Sequence, residues 1–217
     1  MIRVSAFRWV PPFAQGVVRE LRVRWALEEV GLPYEELLIG PEDQRTEVYR
    51  ALQPFGQVPA YEEDGLVMFE SGAIVLHIAE RSEVLLPRDA KGRARATTWM
   101  FAALNSVEPP IQNLAEIDIF ARDEAWAKEH RPAAVEAVKK RLSGVAAWLG
   151  DREYLEDRFT AGDLLMTTVL RILRHTDLVA QMPALDAYRM RCEARPAFQR
   201  AMASHMAPFA RNAPPAT

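Results

Sequence analysis

Between Gln53 and Ile74 the chain reads QPFGQVPAYEEDGLVMFESGAI, and this stretch limits the possible folds more than any other. Two apolar runs of strand length, Val58–Tyr61 and Leu66–Phe69, flank the charged connection Glu62–Gly65. Gly65 supplies the positive φ that a tight hairpin turn needs. Glu70 and Ser71 then stand where a helix would begin, so the expectation is a β-hairpin running into a helix.

The residue types in this stretch suggest a ligand. Pro59 heads a strand, where its missing N–H costs least. A cis Val58–Pro59 bond, which costs an X–Pro peptide about 0.5–1 kcal/mol, would turn the N–H and C=O of Val58 outward. An extended peptide-like molecule could pair with them as an added strand. Ser71 at a helix N-terminus offers a hydroxyl and free N–H groups to a carboxylate, and Glu70 offers an acceptor to an ammonium. Side by side, these groups suit a zwitterionic amino-acid head joined to a peptide backbone. Either half alone is also what an ordinary hairpin followed by a capped helix would show.

The rest of the chain supplies the frame. Ile2–Phe7 reads as a strand that Pro11 and Pro12 prevent from continuing. A helix is expected from about Ala14 until Gly31 and Pro33 stop it. Tyr34–Ile39 is the second strand and Glu42–Leu52 a short helix. With the hairpin and a helix over Ser71–Arg81, the order is β-α-β-α-β-β-α. Beyond the Leu85–Asp89 connection every pattern is helical. Trp99, Met100, Ala103, Leu104 and Val107 form one apolar face, which Pro109 and Pro110 are expected to break or kink. Val135, Val138, Leu142, Val145 and Leu149 form another, on a helix over about Ala133–Leu149. Thr160 and Asp163 have the spacing of a capping box, with Phe159 able to staple onto Leu164. The last helices are expected over Pro183–Ala194 and Pro196–His205, with Asn212–Thr217 frayed.

Composition excludes several functions. The formal net charge of −3 is unlike the strongly basic balance of a nucleic-acid binder. Cys192 is the single cysteine, so no internal disulfide can form. His77, His130, His175 and His205 lack ligand spacing, so no metal site is expected. No run approaches the roughly 18 apolar residues that span a membrane, and MIRVSAFRWV lacks the apolar core of a signal peptide. A cytoplasmic protein is the expectation.

Pro54-x-Gly56-x-Val58-Pro59 followed by Glu70-Ser71-x-Ala73-Ile74 resembles the glutathione-binding half of the glutathione S-transferases, and Phe159–Leu164 resembles the capping box and staple of their helical domain. The resemblance implies an α/β thioredoxin-like domain over residues 1–84, a linker over 85–91 and an all-α domain over 92–217. It implies that Val58 pairs with the cysteinyl part of glutathione, that Glu70 and Ser71 hold its γ-glutamyl end, and that Gln57 and Pro59 complete the site. Glutathione would be a co-substrate, used for conjugation to an electrophile or for reduction of a peroxide or disulfide in detoxification. It further implies a homodimer in which the first domain of one subunit packs on the helical domain of the other. Phe13, Trp99, Met100 and Asn105 would line the electrophile pocket, between the Trp9–Gly16 loop and the helix carrying Trp99. Thr160 and Asp163 would be structural.

The catalytic group is where the chain departs from the family. Those enzymes lower the thiol pKa with a Tyr or Ser hydroxyl, or use a Cys, near the start of the first helix. Here the first tyrosine is Tyr34, and Ser5, inside the first strand, is the only Ser, Thr or Cys before Thr46. Counting back from the Arg22–Glu35 match, the usual hydroxyl position falls near Val17, and Trp9–Gly16 forms an enlarged loop. The remaining donors are Gln15, Trp9, Arg19 and the backbone N–H groups of the helix start, with Gln15 preferred. Arg19, Arg22 and Arg24 are expected as a solvated helix face. A non-catalytic glutathione-binding or interaction protein on the same fold is the alternative.

Overall fold

The computed structural model describes residues 1–214, and the expectation of a frayed end lies in part outside them. The chain divides into two compact units, Met1–Leu85 joined by the segment that starts at Arg195, and Leu86–Ala194.

The first unit is built on a four-stranded sheet in the order β2-β1-β3-β4. β1 (Ile2–Phe7) pairs in parallel with β2 (Tyr34–Ile39), from Ile2 opposite Tyr34 to Phe7 opposite Ile39. β3 (Ala60–Glu63) runs antiparallel to β1 and to β4 (Leu66–Phe69). The register places Arg3 opposite Glu62, and the guanidinium makes two 2.9 Å bonds to that carboxylate. Helices α1 (Glu20–Val30), α2 (Glu47–Leu52) and α3 (Ser71–Ala79) complete the expected thioredoxin-like order.

Several expectations for this unit need correction. β3 spans Ala60–Glu63 and not Val58–Tyr61, so Pro59 precedes the strand, and α2 starts at Glu47, after a 3-10 turn at Asp43–Arg45, and not at Glu42. The first helix begins at Glu20, not near Ala14. Residues 12–18 turn instead, because Gly16 takes φ +82° and the N–H groups of Ala14 and Gln15 both reach back to the carbonyl of Pro11. Arg22 and Arg24 are not on a solvated face, being only 3% and 1% exposed, while Arg19 is exposed. The last helix, α9 (Pro196–Arg211), covers that side of α1. Phe198 meets the buried Trp25 edge-on at 4.8 Å, and Arg195 grips Glu29 with bonds of 2.6 and 2.8 Å. The helix predicted to close the helical domain therefore sits with the sheet.

The second unit is all helical. α4 (Ala90–Phe101), capped by Asp89, leads through a π-helical stretch at Ala102–Val107 into α5 (Glu108–Ala115). Pro109 and Pro110 thus do not break the helix. They fall where the π-helical stretch passes into α5, and the Glu108 N–H just before them still reaches the carbonyl of Ala103. α6 (Ala125–Leu149) starts eight residues before the predicted position, carries Pro132 within it and buries Val138, Leu142, Val145 and Leu149. α7 (Ala161–Leu170) and α8 (Pro183–Glu193) complete the unit. The predicted capping box is formed, with Thr160 and Asp163 bonding reciprocally to each other's backbone region.

Candidate functional site

The stretch from Gln53 to Ser71 is held from beneath by a relay of buried hydroxyls. Ala60 N–H donates to Ser5 Oγ at 2.6 Å, Ser5 Oγ lies 2.7 Å from Tyr49 Oη, and Tyr49 donates to the carbonyl of Gln57 at 2.6 Å. Since Tyr49 spends its proton on Gln57, Ser5 donates to Tyr49. Burial pushes the phenol pKa of Tyr49 up, which keeps it a donor. Ser5 is thereby committed to structure. Gln53, buried beside this relay, accepts the N–H groups of Phe55 and Gln57 at 2.7 and 3.1 Å and so shapes the loop between them. Gly56 takes φ +66°, and a Cβ there would come within 2.7 Å of the Gln44 carbonyl. The Val58–Pro59 peptide is cis, and both residues are buried, while the Gln57 side chain is exposed.

Ser71 opens α3, and Glu70 precedes it at φ +67°, a conformation that a non-glycine residue rarely adopts. The Glu70 side chain makes no capping bond to the helix and is exposed. Sequence reasoning missed the partner of Ser71. Arg22 Nη1 donates to Ser71 Oγ at 3.2 Å, bringing a buried guanidinium to the N-terminus of α3. A hydroxyl that accepts from a cation keeps its own proton for an anion, and the N–H groups of the first turn face the same way. The arrangement can hold a carboxylate.

The Trp9–Gly16 loop is tied at both ends. Arg8 pairs with Glu42 at 2.9 Å and with Asp43 at 3.2 Å, and its N–H bonds Ile39. Gln15 Nε2 donates to the Val10 carbonyl at 3.0 Å, so one of its two amide hydrogens closes the loop. At the start of α1 the N–H groups of Leu21 and Arg22 bond the carbonyls of Val18 and Arg19, and the buried Glu20 adds negative charge there. Both features oppose the thiolate stabilisation expected from that helix end. Phe13 is 44% exposed. In the helical unit, Trp99 donates its indole N–H to Glu156 at 2.7 Å and packs on Trp148, Met100 is buried, and Asn105 is exposed.

Asp163 is the buried acid of the capping box. It accepts from Leu155 N, Thr160 N and Tyr188 Oη at 2.9, 2.8 and 3.0 Å, inside the second unit. Burial pushes its pKa up to about 6 against those bonds. Elsewhere on the first unit, a cleft of about 660 Å³ is lined by Arg24, Arg200, Arg211, Glu28 and Glu36 among others. Its charges are already paired, Arg200 with Glu28 and Arg24 with Glu36. Among the described residues no three His, Cys, Asp or Glu side chains gather as metal ligands, and no helix is long and apolar enough to cross a membrane.

Comparison with known proteins agrees with this layout. Residues 14–80 match the glutathione S-transferase N-terminal domain, and residues 102–196 match the C-terminal domain. Glutathione S-transferase 4 of Zea mays is 30% identical over 209 residues, covering 89% of each chain. A glutathione S-transferase of Hyoscyamus muticus is 31% identical over 198 residues, covering 84% of this chain and 92% of its own. Among solved structures, a glutathione transferase of Burkholderia graminis, with two glutathione molecules bound per subunit, is similar at a TM-score of 0.81 and 28% identity, over 94% of this chain and 88% of that one. With both domains matched in order and full-length relatives at this identity, the chain belongs to the glutathione S-transferase family.

Proposed function

We propose that the protein binds glutathione in its first unit and presents the thiol to an electrophilic, peroxide or disulfide substrate. The observation that carries the reading is the Arg22–Ser71 bond at the N-terminus of α3. It assembles a guanidinium, a hydroxyl and helix N–H groups where the γ-glutamyl carboxylate would sit. Glu70, exposed beside it, supplies the acceptor for the ammonium. Val58, heading into β3, would pair with the cysteinyl backbone, and Gln57 and Pro59 flank it. In conjugation the thiol proton leaves to solvent, sulfur forms a bond to the electrophilic carbon, and the displaced group departs with its electron pair. Glutathione is consumed as a co-substrate, and no metal takes part. Dimerisation and a cytoplasmic location, free of nucleic acid and membrane, belong to the same proposal.

A specific observation favours a second reading, glutathione binding without turnover. The groups expected to face the thiol are partly spent, Gln15 on Val10 and the first N–H groups of α1 on Val18 and Arg19. Titration calorimetry with glutathione, together with turnover assays on 1-chloro-2,4-dinitrobenzene, cumene hydroperoxide and a glutathione mixed disulfide, separates the two. Binding with turnover in any assay supports transferase or reductase chemistry, and binding with none supports the second reading. Absence of binding overturns both.

A further inference from the structure

The Trp9–Gly16 loop is fastened to a residue nearly two hundred positions away. Gly16 N–H donates to Nε2 of His205 on α9 at 2.9 Å, and the imidazole is wholly buried. On its other side, Nδ1 of His205 lies 2.7 Å from Oε1 of Glu20, which is equally buried. The approach is oblique, and neither Glu20 oxygen has a well-aligned donor. Phe209 closes the ring edge-on at 5.0 Å.

These contacts define one protonation state. A nitrogen that accepts from a backbone N–H carries no proton, so Nε2 is bare and the single ring proton sits on Nδ1, facing the Glu20 carboxylate. A buried carboxylate is costly, and the compensation here is electrostatic, from Arg24 one turn along α1. The Gly16 N–H thus fixes which nitrogen is protonated, and the Glu20 carboxylate, 2.7 Å from Nδ1 without an aligned hydrogen bond, adds electrostatic attraction for the proton on that side. What the other nitrogen points at is the last residue of the loop.

We propose that His205 is a positioning residue. Held between the Gly16 N–H and the Glu20 carboxylate, it sets the geometry of the Trp9–Gly16 loop and hence of whatever faces the thiol, without touching the ligand. The functional part of this inference rests on the glutathione-binding reading; the structural part does not. His205→Leu removes the acceptor for Gly16, whereas His205→Gln keeps a side-chain oxygen able to accept the same N–H.

The test combines three measurements. In the wild-type protein, imidazole 15N shifts should show His205 as the neutral Nδ1–H tautomer, and a protonated Nε2 overturns the proposal whether or not any variant folds. Hydrogen exchange at the Gly16 amide should be slow in wild type and His205→Gln and fast in His205→Leu; equal protection in all three overturns it, even if glutathione proves not to be the ligand. With turnover established, kcat should fall about tenfold or more in His205→Leu, with glutathione affinity within a factor of about three, and recover in His205→Gln. A parallel loss of affinity and kcat, unrescued by Gln, would mark a purely structural residue and overturn the positioning role.

Discussion

Arg22 Nη1 lies 3.2 Å from Ser71 Oγ, and neither side chain is more than 4% exposed. A helix whose first turn holds a hydroxyl backed by a buried guanidinium presents a fixed positive potential to whatever anion approaches. Ser71→Ala removes a bond to a charged group and the route by which Arg22 acts. We expect glutathione affinity to fall about tenfold or somewhat more, as titration calorimetry would read it. Unchanged affinity in Ser71→Ala would sink the placement of the γ-glutamyl carboxylate.

Tyr49→Phe tests the relay beneath the loop. The substitution leaves the Gln57 carbonyl without its 2.6 Å donor and Ser5 Oγ without its acceptor. Urea unfolding should show a loss of about 1–3 kcal/mol. Because the carbonyl it frees belongs to Gln57, next to Val58, glutathione affinity should weaken as well. A stability loss with no change in affinity would separate the relay from the site.

The sequence reveals the sheet and its hairpin because their determinants are local. Gly65 after three acids, Gly31 with Pro33, and alternating strand residues each act within a few positions, and β1, β2 and β4 fall where they are predicted. The capping box at Thr160 and Asp163 is equally local. The burial of Arg22 and Arg24 is not, because their partners, Ser71 for one and Glu36 and Ser204 for the other, come from other elements. One signal was available. Residues two apart on a helix point about 160° away from each other, so Arg22 and Arg24 cannot share a single solvated face. His205 gave no signal at all, since its role depends on α9 lying against α1.

Phe55, 64% exposed, stands edge-on to Phe69 at 6.0 Å, and Val67, on the same face of β4 as Phe69, is also exposed. An apolar group of this kind is what a subunit contact would cover. If the protein is the homodimer proposed above, Phe55→Ser should shift it toward monomer in sedimentation equilibrium at micromolar concentration. A wild-type protein that is monomeric under those conditions refutes the proposed dimer.

Asp163 carries the pH dependence. Its carboxyl titrates near 6 in the folded protein because burial outweighs four hydrogen bonds that favour the charged form. In the unfolded chain the same group titrates near 3.8. The folded state therefore binds this proton more tightly, and protonation stabilises it. The contribution is present in full below about pH 4 and is lost as pH rises through about 6, a swing on the order of 3 kcal/mol. Asp163→Asn cannot titrate. Its amide also cannot accept both from Leu155 and Tyr188 on one side and from Thr160 on the other, which adds a pH-independent loss of about 1–3 kcal/mol. Urea unfolding of both proteins from pH 4 to pH 7 cancels the groups they share. The wild-type advantage over Asp163→Asn should be largest at pH 4 and shrink toward pH 7. A difference that stays flat, or that grows with pH, would mean that the four bonds outweigh burial and that Asp163 remains a carboxylate throughout.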